Sequence, residues 1–160
     1  MNKVYLLIGG NMGNREEQLK HAIELIHNGI GNVAKVSSLY ETAAWGKTDQ
    51  PAFLNQALLV NTHLQPLDLL QHTLAIEQEM GRKRMEKNGP RTIDIDIMFY
   101  NHAVIDEPSL TVPHPAMAQR RFVLEPLAEL APDFQHPVHH KSITQLLDEC
   151  TDPLPVKRLK

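Results

Sequence analysis

An alternation of isoleucine and aspartate between residues 93 and 98 constrains the fold more than any other feature of the chain. Ile93, Ile95 and Ile97 alternate with Asp94 and Asp96. Because successive side chains of an extended strand point to opposite faces, this pattern predicts a strand with one apolar face and with both carboxylates on the other face. Aspartate is uncommon inside strands, so the pair suggests a role beyond the fold.

The spacing of the two carboxylates suits divalent cations. Two residues of strand separate their Cα atoms by roughly 6.6 Å, which lets two carboxylates bind a pair of metal ions about 3.5–4 Å apart. Without cations, carboxylates about 6 Å apart repel each other by roughly 3 kcal/mol at an effective dielectric constant of ~20. For an isolated Asp-x-Asp pair, a solvated strand face or salt bridges to nearby arginines would be the more ordinary explanation.

The residues just before this strand favour a site for phosphate groups. Positions 82 to 91 contain a single acid, Glu86, against the basic residues Arg82, Lys83, Arg84, Lys87 and Arg91, although the whole chain has 16 basic and 19 acidic residues. The glycine and proline residues in this stretch predict that it forms a loop. A basic loop that leads into a two-carboxylate strand supplies the oxygen ligands and the phosphate donors that a Mg²⁺-polyphosphate needs. We expect the loop from Gly81 to Pro90 to be mobile without ligand and to close over a bound nucleotide.

Composition limits the other possibilities. The length of 160 residues predicts one domain over residues 1–160. The net charge of −3 argues against a nucleic-acid-binding protein, so small molecules are the expected partners. The single cysteine, Cys150, excludes an internal disulfide and suits a reducing compartment. With no apolar stretch of about 18 residues, we expect no membrane association, a cytoplasmic location, and a monomer or weak homodimer.

The remaining patterns predict an α+β protein with a mostly antiparallel sheet. Helices are expected after the turn at residues 9–14, with Asn14 as N-cap, from Pro66 onward, and after the N-cap Ser142. The predicted apolar stripe is Leu19, Ala22, Ile23 and Ile26 in the first helix, and Leu67, Leu70 and Leu74, continued by Glu77, in the second. Strands are expected over residues 4–8, 33–40, 53–60 and 93–100, with a hairpin turn at 101–102 that returns over 103–105; the basic end from Lys157 is expected to fray.

Several further residues are candidates for binding. Thr42 and Trp45 stand near Phe53 and Asn55, and aromatic faces with amide and hydroxyl groups are what a flat heterocycle requires, although aromatics are more often core residues. Glu77 either pairs with Arg82 or Arg84 or belongs to the phosphate site.

Two groups of histidines have different interpretations. His114 lies between two prolines, which stiffen the chain, and Arg120 follows it closely, which favours a phosphate contact. His136, His139 and His140 form a second group. They lack the neighbouring cysteines or acids of a typical metal site, which favours a polar loop over a metal site.

The run from Gly89 to Ile97, Gly-Pro-Arg-Thr-Ile-Asp-Ile-Asp-Ile, followed by Leu110-Thr111-Val112-Pro113-His114, resembles the signature of 6-hydroxymethyl-7,8-dihydropterin pyrophosphokinase, a family of folate-pathway enzymes. The resemblance covers nearly the whole chain. It implies a ferredoxin-like core flanked by helices. It also implies Mg²⁺-dependent transfer of pyrophosphate from ATP to the hydroxymethyl group of the pterin, with release of AMP.

The resemblance also implies roles for individual residues. Two Mg²⁺ ions would be held by Asp94 and Asp96, which would act in catalysis with Arg82 and Arg91. ATP would be bound by Arg84, Ile97, Thr111, His114 and Arg120. The pterin would be bound by Thr42, Ala43, Trp45, Phe53, Asn55, Glu77 and Phe122, with its ring between the two phenylalanines. The chain departs from the family at Lys87-Asn88, where many members have Arg-Trp, and at Pro115, where an aromatic residue is common.

Two other functions use the same residues. A metal-dependent nucleotidyltransferase would also need the aspartate pair but would release pyrophosphate instead of AMP. A binding protein for pterin or nucleotide would bind without turnover, which the two carboxylates disfavour.

Overall fold

The main sheet is built around β1, which lies between two long antiparallel partners. The computed structural model describes residues 1–43, 51–81 and 93–159. Within these ranges the strands are β1 (Asn2–Gly10), β2 (Gly31–Val36), β3 (Tyr40–Thr42), β4 (Phe53–Thr62), β5 (Asp94–Tyr100), β6 (Ile105–Glu107), β7 (Leu110–Val112) and β8 (Val156–Arg158). The α-helices are α1 (Arg15–Gly29), α2 (Pro66–Glu79), α3 (Arg121–Leu130) and α4 (Ile143–Glu149), and a short 3₁₀ helix covers Met117–Gln119.

The order of strands in the main sheet is β5-β1-β4-β3-β8, and β2 also pairs with β4. All of these pairs are antiparallel. The prediction of an α+β protein with a mostly antiparallel sheet is therefore confirmed. β6 and β7 form a separate two-stranded sheet.

Each face of the main sheet packs against its own pair of helices. On one face, the isoleucines of β5 meet α1 and α2 in a core that includes Leu19 and Leu69. On the other face, Leu7, Met98 and Phe99 meet α3 and α4. The β1–β5 register shifts between Tyr5 and Leu6. This bulge lets the consecutive residues Met98 and Phe99 both reach the second core, because a bulge interrupts the alternation of side chains.

The predicted helix caps are confirmed. The side chain of Asn14 accepts a hydrogen bond from the Glu17 N–H, and Ser142 accepts one from the Gln145 N–H. Pro66 occupies the first turn of α2, where its missing N–H has no intrahelical partner to lose. In α1, Leu19, Ala22 and Ile26 are buried as predicted, whereas Ile23 is only partly buried.

The predicted stripe of α2 is wrong for two leucines. Leu67 and Leu74 are 47% and 46% exposed. The buried residues are Leu69, Thr73, Ile76 and Glu77. Three of these, at positions 69, 73 and 77, are spaced four residues apart and therefore share one face of the helix. This face, which includes Glu77, lies against the sheet.

Three other predicted boundaries also need correction. The predicted strand 33–40 is divided into β2 and β3, because the chain leaves β4 after Val36 and rejoins it at Tyr40. Gly9 and Gly10 belong to β1, so the predicted turn begins later, at residue 11. The predicted fraying of the C-terminal end is not found as far as Leu159. β8 pairs with β3, and the Leu159 N–H donates to the Leu39 carbonyl.

The predicted hairpin after β5 is only half right. The turn exists, since the Ala103 N–H donates to the Tyr100 carbonyl, but the chain then forms β6 and pairs with β7. The outer edge of β5 has other partners: Glu77 accepts the Ile95 N–H, and the His114 N–H donates to the Met98 carbonyl. Within the described ranges, no helix is long and apolar enough to cross a membrane.

Candidate functional site

A cavity of about 230 Å³ opens on the α3 side of the sheet, beyond the point where helices cover it. Strands and the end of β3 contribute Gly9, Thr42, Ala43, Phe53, Asn55, Asp94, Asp96 and Met98. The chain after β7 contributes His114, Ala116, Arg120, Phe122 and Leu154. The cavity therefore joins two parts of the chain that are distant in sequence.

Strand register places three residues of the cavity floor in one row. Gly9 lies opposite Asn55 on β4 and opposite Asp94 on β5. A Cβ atom at Gly9 would lie 2.3 Å from the Asn55 Oδ1 atom, which is closer than non-bonded atoms approach. Glycine is therefore what allows the Asn55 amide to lie across β1. The same amide donates to the Thr42 hydroxyl at 3.3 Å, and both side chains are buried.

The two aspartates face the cavity together. Both line it and are half-buried, whereas Ile93, Ile95 and Ile97 are 0%, 5% and 5% exposed on the other face. The prediction of one apolar and one acidic face is confirmed. Among the described residues, no group of three or more His, Cys, Asp and Glu could hold a metal ion. A pair of carboxylates fits Mg²⁺ nevertheless, because this ion is usually held by one or two carboxylates and completes its shell with water and substrate phosphates.

Glu77 supports the aspartate strand from the side. Its Oε2 atom accepts the Ile95 N–H at 2.6 Å, and the side chain is buried. Since Ile95 stands between Asp94 and Asp96, this hydrogen bond fixes the backbone that carries both carboxylates. A carboxylate buried beside β5 thus holds the strand in place along the edge that β1 does not cover.

A second cleft, of about 300 Å³, adjoins the cavity and shares Asp96 and His114 with it. Its other walls include Leu70, Leu74, Glu77, Ile97 and Thr111. The shared residues make a junction between the two spaces, so a molecule in the cleft and one in the cavity would meet beside Asp96.

His114 is held in one tautomer at this junction. Its Nδ1 atom accepts the Ala116 N–H at 3.3 Å. The neutral ring therefore carries its proton on Nε2. Burial, and then the nearby Arg120, lower the pKa of His114 from its usual value. The ring is thus a neutral donor at pH 7. The Arg120 guanidinium lies 5.9 Å from the centre of the Phe122 ring.

Side-chain bonds also fix both ends of the segment between β3 and β4. Arg15 forms an ion pair with Glu41 at 2.8 Å and donates to the Ala52 carbonyl at 2.9 Å. The Asn11 amide donates to the Pro51 carbonyl. Strand pairing sets Thr42 directly opposite Phe53, and both line the cavity.

A model of the 7,8-dihydro-6-hydroxymethylpterin-pyrophosphokinase (HPPK) family matches residues 5–132. The chain belongs to this family. It is 47% identical over 130 residues to the 2-amino-4-hydroxy-6-hydroxymethyldihydropteridine pyrophosphokinase of Bacillus subtilis, an alignment that covers 81% of this chain and 78% of the relative. It is 42% identical over 150 residues to the folic acid synthesis protein fol1 of Schizosaccharomyces pombe, covering 92% of this chain but only 20% of that longer protein.

Solved structures support the fold. The HPPK-DHPS of Plasmodium falciparum with pterin and p-hydroxybenzoate superposes with a TM-score of 0.77 at 20% identity, over 92% of this chain and 43% of that chain. The wild-type HPPK-DHPS with SDX-DHP gives a TM-score of 0.74 at 18% identity, over 93% and 43%. The predicted ferredoxin-like α+β class, the resemblance to this family and the enzyme class of pyrophosphokinase are confirmed.

The positions expected from the pyrophosphokinase resemblance divide into three groups. The main cavity contains Thr42, Ala43, Phe53, Asn55, Asp94, Asp96, His114, Arg120 and Phe122. The second cleft contains Glu77, Ile97 and Thr111, and it shares His114. Glu77 is thus separated from the other residues predicted to bind pterin. Trp45, Arg82, Arg84 and Arg91, and with them the predicted closing loop, lie outside the described residues.

Some residues that line the cavity were not predicted from the sequence. The sequence predicts Gly9 in a turn, but its strand pairing with Asn55 makes it part of the cavity floor. Met98 follows the aspartates by the same alternation and could have been found from it. Leu154 carries no recognisable signal, because its position depends on the path of the C-terminal segment.

The second histidine group supports the fold. The ring of His136 is 3% exposed and lies edge-on to Phe99. Its Nδ1 atom accepts the N–H groups of Val138 and His139. Burial and the neighbouring histidines lower the pKa of His136 to about 4. The prediction of a polar loop agrees with these bonds, although His136 itself is buried.

Proposed function

We propose that this chain transfers the β,γ-pyrophosphoryl group of ATP to the hydroxymethyl oxygen of 6-hydroxymethyl-7,8-dihydropterin and releases AMP, with Mg²⁺ as the cofactor. One observation carries the proposal. A single cavity joins the carboxylates of Asp94 and Asp96 to an aromatic and amide-lined recess, and it opens beside Asp96 into a second cleft. The family membership of the chain supports the same reaction.

The pterin would occupy the recess. Phe53 and Phe122 both line it and supply aromatic faces for a flat ring. Asn55 supplies an amide, and Thr42 a hydroxyl, for the polar edge of the ring. Their mutual hydrogen bond holds both groups in place before the substrate arrives, which lowers the ordering cost of binding.

ATP would occupy the second cleft with its phosphates toward the junction. Leu70, Leu74 and Ile97 offer apolar contact to a base. The Nε2–H of neutral His114 would donate to a phosphate oxygen, and Arg120 would pair with a phosphate from the cavity side. The expected contributions of Thr111 and of Arg82, Arg84 and Arg91 remain predictions.

Asp94 and Asp96 would hold two Mg²⁺ ions between the two substrates. Bound Mg²⁺ would neutralise charge on the phosphates as the bond to the α-phosphate oxygen breaks. The protein groups would mainly position the hydroxymethyl oxygen and the β-phosphorus, because phosphoryl-type transfer needs little covalent help from the enzyme. Glu77 would contribute indirectly through the β5 backbone that carries the two ligands.

Product analysis tests the proposal directly. Protein incubated with Mg-ATP and the pterin alcohol should produce AMP and the pterin diphosphate, and omission of either Mg²⁺ or the pterin should stop AMP formation. Release of inorganic pyrophosphate, with AMP attached to the acceptor, would instead identify a nucleotidyltransferase. If both ligands bind but no product forms, the chain is a binding protein and not an enzyme.

We further propose one domain over residues 1–160 and a monomer or weak homodimer that acts in the cytoplasm. Sedimentation at micromolar concentration would test the oligomeric state, and a stable dimer would contradict the proposal. A single cooperative unfolding transition would support one domain.

A further inference from the structure

The C-terminal segment after α4 forms part of the cavity wall. Residues 152, 154 and 156 are partly buried, while Thr151, Pro153, Pro155 and Lys157 are exposed, which is the alternation of an extended chain. Leu154 is the member of this segment that lines the cavity. The family model ends at residue 132, so the segment lies beyond the matched region.

Asp152 links this segment to the start of α3. Its Oδ2 atom accepts the Arg121 N–H at 3.1 Å, and its Oδ1 atom accepts the Leu154 N–H at 3.0 Å. Arg121 in return donates from Nε to the Asp152 carbonyl and from Nη2 to the Cys150 carbonyl. Since Arg121 directly precedes Phe122 in sequence, one carboxylate connects the backbone of Leu154 to the helix that carries a predicted pterin contact.

The other side of Leu154 is also fixed. Pro153 and Pro155 flank it, and a proline restricts both its own φ and the conformation of the residue before it. Two residues further on, Val156 pairs with Thr42 at the end of β3. Glu129 of α3 accepts the Tyr40 hydroxyl at 2.6 Å and lies 3.7 Å from the Arg158 guanidinium. Leu154 is therefore held between two anchored points, one beside Phe122 and one beside Thr42.

We propose that Leu154 is a substrate-contacting residue that forms an apolar wall of the pterin recess, and that Asp152 is the residue that positions it. The inference rests on the proposed function, because it takes the occupant of the recess to be the pterin. A leucine that served only the fold would need no such placement on the cavity wall. Leu159 offers that comparison: it is a partly buried leucine of the same segment that packs against the core of the opposite face.

Three single substitutions test the contact. Leu154→Ala should raise the KM for the pterin by about five- to tenfold, as expected for losing part of a leucine contact, and should leave the KM for ATP within about twofold. Leu154→Met should restore a KM near that of the wild type, because methionine fills a similar volume. Leu159→Ala should lower Tm without changing the pterin KM.

Asp152→Asn tests the positioning role. The amide retains one oxygen acceptor but replaces the other with a donor, so the bond to the Arg121 N–H or the bond to the Leu154 N–H is lost. We expect a pterin KM about two- to fivefold higher, an unchanged KM for ATP, and no further increase when Asp152→Asn is combined with Leu154→Ala. Fully additive effects would overturn the positioning role.

The outcomes separate this inference from the proposed function. Absence of AMP with wild-type protein would overturn the proposed function and, with it, the pterin as the occupant. If the wild-type protein forms AMP but Leu154→Ala leaves the pterin KM unchanged, only the contact is overturned. A rise in the pterin KM of Leu159→Ala equal to that of Leu154→Ala would also overturn only the contact. If Leu154→Ala fails to fold, calorimetric titration of Leu154→Met and Leu154→Phe with the pterin tests the contact instead. The contact requires near-normal pterin affinity in Leu154→Met and clearly weakened affinity in Leu154→Phe. Equal affinities in the two variants would overturn it.

Discussion

The two faces of the main sheet differ in how completely they are covered. On the α1 and α2 side, the helices bury the isoleucines of β5 and the leucines facing them, so this face is core. On the α3 and α4 side, packing around Leu7, Met98 and Phe99 gives way to the cavity at the end of the strands that carries Gly9. β5 contributes to both faces, with alternate residues from Ile93 to Met98 and with Met98 and Phe99 together on the α3 side.

This difference separates stability from chemistry within one strand. Odd-numbered residues from 93 to 97 pack into the core, and Asp94 and Asp96 point to the cavity. Substitutions on one face should therefore change the free energy of unfolding and leave catalysis intact, and substitutions on the other should do the reverse. Three of the four predictions below test that separation, and the prediction for His136 concerns the packed part of the α3 side.

The largest effect is expected at the carboxylates. Asp94→Asn or Asp96→Asn should lower kcat about a thousandfold, roughly 4 kcal/mol in barrier height, because each removes a charged ligand for Mg²⁺. Both variants should remain folded, because the core contacts of β5 come from the isoleucines on its opposite face. A variant shown to be folded by circular dichroism that keeps more than about a tenth of wild-type kcat, a loss below ~1.4 kcal/mol, would contradict the two-metal assignment.

The matching effect on the covered face concerns the core alone. Leu19→Ala removes a leucine that is 1% exposed in α1 and should lower the free energy of unfolding by about 3 kcal/mol. Both KM values and kcat should remain near wild type below the melting transition. Leu67→Ala is the control on a neighbouring helix: being 47% exposed, it should cost less than about 0.5 kcal/mol. Equal losses of unfolding free energy in Leu19→Ala and Leu67→Ala would instead support the buried apolar stripe predicted for α2 from the sequence.

The sequence was most informative where the determining forces are local. Alternation around Asp94 predicted which side chains share a face, and the caps at Asn14 and Ser142 depend on residues three positions away. The aspartate pair and the basic stretch before it predicted the kind of chemistry. Each of these patterns is contained within about ten consecutive residues.

The predictions that failed depend on contacts distant in sequence. The orientation of α2 follows from the bond of Glu77 to Ile95, 18 positions away. β6 pairs with β7 while the outer edge of β5 binds Glu77 and the His114 backbone. The pairing of β8 with β3 joins residues more than 110 positions apart, and periodicity contains no information about such a partner.

A pH-dependent loss of stability is expected from the α3 side of the sheet. His136 is buried with its pKa lowered to about 4 by burial, and then by His139 and His140. Because the folded pKa lies below the unfolded value, its contribution is complete above about pH 6.5 and is lost as the pH falls toward 4. Between pH 7 and pH 5 the loss should be about 2 kcal/mol.

The His136 variant isolates this contribution from the other titrating groups. His136→Asn keeps an oxygen that can accept the Val138 or His139 N–H, but it does not titrate. The difference in unfolding free energy between pH 7 and pH 5 should shrink in this variant, and it should remain at the wild-type size in His63→Asn, which changes an exposed histidine outside the His136 group. Equal pH dependence in all three proteins would assign the acid sensitivity to other groups.

The smallest effect is expected at Gly9, where the cavity floor meets the sheet. In Gly9→Ala the new methyl group would overlap the Asn55 Oδ1 atom, which is 2.3 Å away, and the amide must rotate because the strand backbone is fixed on both sides. Rotation removes its bond to Thr42 and misaligns the amide for the pterin. We expect a pterin KM about tenfold higher, equivalent to ~1.4 kcal/mol. The loss of stability should be smaller than in Gly31→Ala, because the closest atom is in a side chain and the nearest backbone atom, the Leu54 carbonyl oxygen, is 3.2 Å from the new Cβ. Gly31→Ala is the matched control in the same sheet: its Cβ would lie 2.1 Å from the Asn61 carbonyl oxygen, a backbone atom that has no equivalent rotation. That variant should lose Tm without any change in pterin KM, whereas a lower Tm with an unchanged KM in Gly9→Ala would show that Gly9 serves only the sheet.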